Sequence, residues 1–243
     1  MKLAAMQPYP FPYIGYFELM AQVDRWIALD DVQYVRRSWM NRNRILHPVE
    51  GWQYFSIPVQ KSPRDATIQE IRLVNRSEAE HKLLAQLQHY QKHAPYFQQV
   101  IDLVCDSFAR PNKDMLVDLN LNTLCATAER LEIYFAPERC SHLGLALDDK
   151  HAGQRTLHIA AQLGVDAYLN PPGGHAIYRP EEWQTAGISL TFTAMNQLSY
   201  NCAPYTFEPH LSILDVLMWN SFTEVKKYLN NVCFSRKENE QAA

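Results

Sequence analysis

No stretch of the 243-residue chain is apolar over anything near the roughly 20 residues that span a bilayer. Neither sign of charge dominates. Lys and Arg number 23 against 26 Asp and Glu, a formal net charge of −3, which gives no ground for nonspecific binding to nucleic acid or membrane. The five cysteines, at 105, 125, 140, 202 and 233, are odd in number, far apart and without a CxxC pair. That speaks against a disulfide framework and against a structural zinc site. Cys105 and Cys125 fall in helical patterns and read as small buried hydrophobes, while Cys202 stands in a candidate pocket segment. No GxSxG elbow, Walker loop, HExxH pair or GxGxxG turn occurs, and no internal repeat or low-complexity tract. The start, MKLAAMQPYP, lacks the apolar core of a signal peptide and enters a strand directly. A cytoplasmic protein is expected.

What is present is concentrated at residues 7–44, QPYPFPYIGYFELMAQVDRWIALDDVQYVRRSWMNRNR. An apolar run, Leu3 to Met6, stops at a loop with prolines at 8, 10 and 12. A helical pattern follows from Tyr13 to about Gln22. A second strand, Trp26 to Leu29, ends on Asp30 and Asp31. Strand, helix, strand is the grammar of a parallel sheet, which places ligands beyond the C-terminal ends of its strands. Next comes a cluster of Arg36, Arg37, Trp39, Asn41, Arg42, Asn43 and Arg44.

Further on, Trp52 to Val59 alternates and reads as a strand, with Thr67 to Val74 as its expected hairpin partner. From Ser77, an N-cap candidate, three helical patterns run to about Leu131, broken by Pro95 and Pro111. Leu116, Leu119, Leu121, Leu124 and Leu131 form the expected buried face of the third. His89 and His93 stand at i and i+4, a spacing able to bind metal, but no third ligand is near and a solvated face is favoured. Strand character returns at Ile133 to Ala136, then an irregular connection from Pro137 to Lys150. A helix at Arg155 to Leu163, stopped by Gly164, leads to a short strand, Ala167 to Leu169. The loop Asn170-Pro171-Pro172-Gly173-Gly174 follows at its end. Trp183 to Ala186 is a helical turn, Ser189 to Ala194 a strand, and Ser212 begins the last helical region as N-cap, with Asp215 at its third position. The expected fold is α/β, a mainly parallel Rossmann-like sheet with a helical block inserted in the middle of the chain at about 77–131. Residues 1–232 are expected to form one domain and 233–243 a flexible tail.

The run MQPYPFPYIGYFELM…D…IALDDVQY…SWMNRNRI resembles the N-terminal signature of the WbqC-like protein family. The likeness continues in RTLHIAAQLGVDAYLNPPGG…Y at 155–178 and FEPHLSILDVLMWN at 207–220. It covers nearly the whole chain, in three separated motifs in the expected order. Only the Pro-Gly-Gly version of the second motif departs somewhat from the family's Ser-Gly type. Membership implies a gene cluster for O-antigen or another bacterial surface polysaccharide, without supplying a mechanism. The function it implies is modification of a nucleotide-activated sugar, with acyl or aminoacyl transfer to an amino sugar as one form. Two alternatives stay open, an ATP-using ligase or nucleotidyltransferase-like enzyme and a noncatalytic ligand-binding protein of the same pathway. The cofactor is undefined, with Mg²⁺ a candidate.

Candidate site residues follow from chemistry and from the resemblance together. Asp30 or Asp31, at a strand end, can bind a sugar hydroxyl, act as base or hold Mg²⁺. The competing reading is a turn or N-cap, and neighbours on a strand point opposite ways, so at most one faces a pocket. Arg36, Arg42 and Arg44 suit a diphosphate, with Trp39, Asn41, Asn43 and Gln33 at the site edge. Asn170, Gly173 and Gly174 can cradle a phosphate or carbonyl, and Tyr178 can donate a hydrogen bond. Gln7, Tyr13 and Tyr16 lie in a P-x-x-G-Y opening that is similar in outline to the H-x-G-H loop of nucleotidylyltransferase-like proteins. Tyr13 and Tyr16 stand where that loop has its histidines, which implies a nucleotide cradle and argues against nucleotidyl transfer by that mechanism. The expected partner is a nucleotide-sugar, with no nucleic acid, no membrane insertion, no dedicated metal site and an undefined oligomeric state.

Overall fold

The computed structural model describes every residue except Asn112, Asp148, Asp149, Lys150, Met195, Ala242 and Ala243, and from residue 233 onward the backbone alone. Part of the expected irregular connection and the last two residues of the expected tail thus lie outside the described residues.

The apolar run opens the chain as β1 (Lys2–Met6) and leads through α1 (Ile14–Met20) to β2 (Arg25–Ala28). After a long excursion the sheet resumes with β5 (Pro137–Arg139). Helix α5 (Ala152–Gln162), β6 (Ala167–Asn170), α6 (Pro180–Thr185) and β7 (Ser189–Phe192) complete it. All pairings in this sheet are parallel and the spatial order is β5-β2-β1-β6-β7. Numbered within the sheet alone, that order is 3-2-1-4-5, the Rossmann arrangement, with its reversal between β1 and β6. Side chains alternate between two cores, as a pleated strand covered on both faces requires. Leu3, Ala5, Ile27 and Tyr168 pack with Ile159 and Trp183. Ala4, Trp26 and Leu169 pack with α1 and the helical block.

The excursion begins with an antiparallel hairpin, β3 (Arg42–Leu46) and β4 (Trp52–Ser56). The expected pairing of residues 52–59 with 67–74 survives only at its far end, where Val59 and Leu73 form an antiparallel bridge and the Val74 N–H donates to Pro58. Over Trp52–Ser56 β3 is the partner, and the first half of 67–74 takes no part. That segment instead forms a 3-10 turn at Ile68–Glu70, because Thr67 gives both its backbone N–H and its hydroxyl to the Glu70 carboxylate (2.7 and 2.8 Å) and so leaves the strand conformation. The arginine cluster supplies the missing strand. Arg42 to Leu46 buries Asn43 and Ile45 on one face and leaves Arg42 and Arg44 only half-buried on the other. The helical block follows as α2 (Arg76–Leu87), α3 (Phe97–Ala109) and α4 (Leu116–Arg130). Its first cap is Asn75, not Ser77, since the Asn75 side chain accepts from the Glu78 N–H. Leu116, Leu119, Leu124 and Leu131 are buried as expected, Leu121 only partly. The expected strand at Ile133 to Ala136 lies a few residues later, as β5.

The last segments are α7 (Ile213–Trp219) and α8 (Phe222–Gln241), the latter extending well past the expected end near Leu229. Ser212 caps α7 through its hydroxyl. Asp215, in the first turn, is fully buried, and Tyr90 and Tyr200 donate to its two oxygens. Burial outweighs these bonds and pushes its carboxyl up to about 6 from an ordinary 3.8. The folded state therefore binds a proton that the unfolded state releases between about pH 4 and 6. Asp215's contribution to stability accordingly falls as pH rises through that window and is level above it. The full change is on the order of 2–3 kcal/mol. Unfolding free energies of wild type and Asp215→Asn, measured from pH 4 to 7, should differ by a term with that slope; parallel curves would refute it.

Candidate functional site

The C-terminal ends of β1 and β6, at the point where strand order reverses, border a cavity of about 620 Å³. This is where an open parallel sheet leaves room for a ligand, and the size suits a small molecule. Met6 and Gln7 come from β1, Leu29 from just past β2, and Asn170 to Gly174 from the end of β6. Ala152, Arg155 and Thr156 belong to the first turns of α5. A shallower depression of about 840 Å³ runs beside β7 and α8, but the described residues of its lining include no arginine or lysine.

The wall next to β1 is the proline loop. Three prolines remove three N–H donors from residues 8–12, so the loop cannot satisfy its carbonyls internally. Side chains from distant segments do so instead. Asn120 of α4 donates to the Pro8 carbonyl (2.8 Å) and to Met40 (2.7 Å). Asn43 donates to Pro10 and Phe11, Ser212 donates to Phe11, and the Phe11 N–H is accepted by Thr123. This holds Phe11 in a left-handed conformation with φ 42°. Tyr16 donates to the Gln7 carbonyl (2.9 Å) and Tyr9 to the Gln7 side chain (2.8 Å). Burial pushes the Tyr9 hydroxyl up to about 12 and those of Tyr13, Tyr16 and Tyr178 above their ordinary range. All four remain protonated donors at neutral pH.

The opposite wall is the Pro-Gly-Gly segment, which winds into a 3-10 turn at Pro172–Ile177. Tyr178 donates to the Asn170 side-chain oxygen (3.0 Å), while the Asn170 amide donates to Pro171. A Cβ on Gly174 would come within 2.1 Å of that amide, and one on Gly153 within 2.1 Å of the Ile177 carbonyl oxygen. These two glycines allow the turn to sit against Asn170 and α5.

Two guanidiniums line the cavity. Arg44 comes from β3 and donates to the His210 carbonyl (3.2 Å), and its Nε is buried without a hydrogen-bond partner. Arg155 comes from α5 and forms an ion pair with Asp31. His210 also lines the cavity. It is held in a left-handed conformation with φ 55°, its ring edge-on to Tyr13 at 6.1 Å. Among the described residues of the lining it is the one imidazole, and that lining includes no carboxylate or thiol.

Of the residues singled out in the sequence, Gln7, Tyr13, Tyr16, Trp39, Asn43, Arg44, Asn170, Gly173, Gly174 and Tyr178 line this cavity. The others stand elsewhere. Asp30 is fully buried, and its carboxylate accepts from the Ser141 N–H (3.0 Å) and hydroxyl (2.7 Å), tying β2 to the segment after β5. Asp31 is taken up by Arg155. Neither carboxylate lines the cavity. Gln33 and Arg36 border a separate depression, where they donate to the Arg64 and Ser62 carbonyls. Asn41 donates to Ile57, and Arg42 lies over the Tyr54 ring at 3.9 Å. Arg155, Thr156, Tyr9 and His210 were not singled out. Arg155 and His210 nevertheless fall within the second and third motifs, so a signal for both was in hand. His175, in the turn after Gly174, stacks on Phe192 with ring centroids 3.6 Å apart. No group of three or more His, Cys, Asp or Glu able to hold a metal occurs among the described residues, and no described helix is long and apolar enough to cross a membrane.

No solved structure matches the chain significantly. The uncharacterised protein Rv1507c of Mycobacterium tuberculosis is 29% identical over 231 residues, which cover 94% of this chain and 97% of that protein. The WbqC-like protein family matches residues 7–227, and the chain belongs to that family.

Proposed function

We propose that the cavity binds a nucleotide-activated sugar and that the chain is a cytoplasmic enzyme of bacterial surface-polysaccharide biosynthesis acting on it. Acyl or aminoacyl transfer to an amino sugar is the form that this reading takes. One observation carries it. Three motifs far apart in the sequence bring two guanidiniums, a set of protonated tyrosines and one imidazole to a single cavity at the sheet's switch point. Arg44 and Arg155 hold the diphosphate, since planar guanidiniums suit its oxygens. Gln7, Tyr13 and Tyr178 bond the sugar. The sugar amine attacks the acyl carbon of an activated ester or thioester donor, and as the N–C bond forms the bond to the donor's alcohol or thiol breaks. His210 is the general base that takes the amine's proton and returns it to that departing group, a role the sequence offered to Asp30 or Asp31.

The absence of a carboxylate or thiol from the described lining favours a second reading, binding without turnover. A thermal-shift screen against nucleotide-sugars and ATP, with and without Mg²⁺, is the test. A ligand selective for the folded chain raises the melting temperature with the logarithm of its excess over Kd. A shift with nucleotide-sugars is expected. A shift with ATP and Mg²⁺ alone would replace this reading by a ligase, and the absence of any shift would remove it.

A further inference from the structure

The phosphate-and-sugar reading leaves the outward face of the β3–β4 hairpin unused. The register sets Arg44 opposite Tyr54 and Leu46 opposite Trp52. Alternation then turns Arg42, Arg44, Trp52 and Tyr54 away from the core face that carries Asn43, Ile45 and Phe55. Trp39, from the loop before β3, joins them. The Arg44 guanidinium lies over both indoles, 5.4 Å from Trp39 and 5.0 Å from Trp52. Trp52 packs edge-on against Tyr54 at 4.9 Å. The cluster is fixed by these contacts, yet Trp39 remains 40% exposed and Trp52 39%. Rigid, partly exposed aromatic rings, continuous through Trp39 and Arg44 with the cavity, are suited to stacking a planar ring.

We propose that Trp39 and Trp52 form a stacking platform for the nucleobase of a nucleoside diphosphate whose phosphates rest on Arg44. This deepens the reading above and depends on its phosphate assignment. A base fits better than a second sugar ring. The platform's five side chains offer π faces and guanidinium donors but no carboxylate to accept from sugar hydroxyls. Of its two guanidiniums, Arg44 is engaged by the phosphates and Arg42 is stacked over the Tyr54 ring at 3.9 Å, so base-edge readout does not fall to the platform. Stacking without edge contacts is tolerant of base identity. The platform therefore admits uracil, thymine, guanine and adenine alike, and selectivity falls to the sugar in the cavity.

Calorimetric titration of the full chain with UDP, dTDP, GDP, ADP and inorganic pyrophosphate tests this. The four diphosphates are expected to bind within about tenfold of one another, and all more tightly than pyrophosphate. Trp52 lies outside the cavity lining but under the Arg44 guanidinium, so Trp52→Ala should weaken each diphosphate by about tenfold or more and pyrophosphate by less than about threefold. Trp52→Phe keeps a ring and should restore most of the loss, whereas Trp52→Leu should not. Three outcomes would overturn the platform: diphosphates indifferent to Trp52→Ala, equal weakening of pyrophosphate, or one base preferred by more than about a hundredfold. Pyrophosphate binding with no gain from a nucleoside sinks the platform and spares the phosphate site. Free nucleosides that quench tryptophan fluorescence while pyrophosphate fails to bind would do the reverse.

Discussion

Arg44→Ala is expected to weaken binding of a nucleotide-sugar by about thirtyfold or more, with little change in the stability of the free protein. Removing one partner of a buried, charge-assisted contact costs about 2–5 kcal/mol, and every 1.4 kcal/mol is a factor of ten. Arg44 is placed to act this way. It lines the cavity, two indoles hold its guanidinium and its Nε is buried without a hydrogen-bond partner. Arg36→Ala is the control. Arg36 is exposed, donates to the Ser62 carbonyl and borders a different depression, so its loss should change affinity by less than about threefold. Calorimetry on the two variants separates a built site from general positive charge. Equal effects would mean that the arginine-rich segment acts through charge alone.

Asn120→Ala should cost about 2–4 kcal/mol of stability, although Asn120 does not itself line the cavity. Its side chain is fully buried, and its amide serves two carbonyls, Pro8 and Met40, that have no other described partner. Alanine leaves both unsatisfied in the interior, at about 1–3 kcal/mol each before relaxation. In a chain of this length the loss lowers Tm by roughly 5–15 °C. Asn120→Asp should be no milder, because a carboxylate would face two carbonyl oxygens. Urea unfolding of both variants is the measurement, and a loss below about 1 kcal/mol for alanine would show that the proline loop holds itself. Since Pro8 and Met40 flank Tyr9 and Trp39, the variant should also bind ligand more weakly in proportion to the loosened loop.

The parallel α/β frame could be read from residues because its signals are local. An apolar run followed by a helical pattern and a second apolar run is a β-α-β unit whatever the rest of the chain does, and Gly164, at φ 62°, marks its helix end by backbone chemistry alone. Three helices between 76 and 130 were legible for the same reason. The hairpin was not. Both 42–46 and 67–74 alternate, and only the capping of Glu70 by Thr67, together with the burial of Ile45 and Phe55, decides which of them meets β4. The roles of Asp30 and Asp31 were equally beyond local pattern. A carboxylate at a strand end is a ligand for substrate or a structural tie according to what stands opposite, and here Ser141 and Arg155 stand opposite, more than a hundred residues away.

By itself the sequence determined the fold class, the family and the three segments from which the cavity lining is drawn. Tertiary structure alone decided that these segments share one cavity. Arg44 meets the carbonyl of His210 across 166 residues, and no periodicity encodes a contact of that separation. Periodicity records which face of an element is buried. The partner that buries it depends on how all the faces close together.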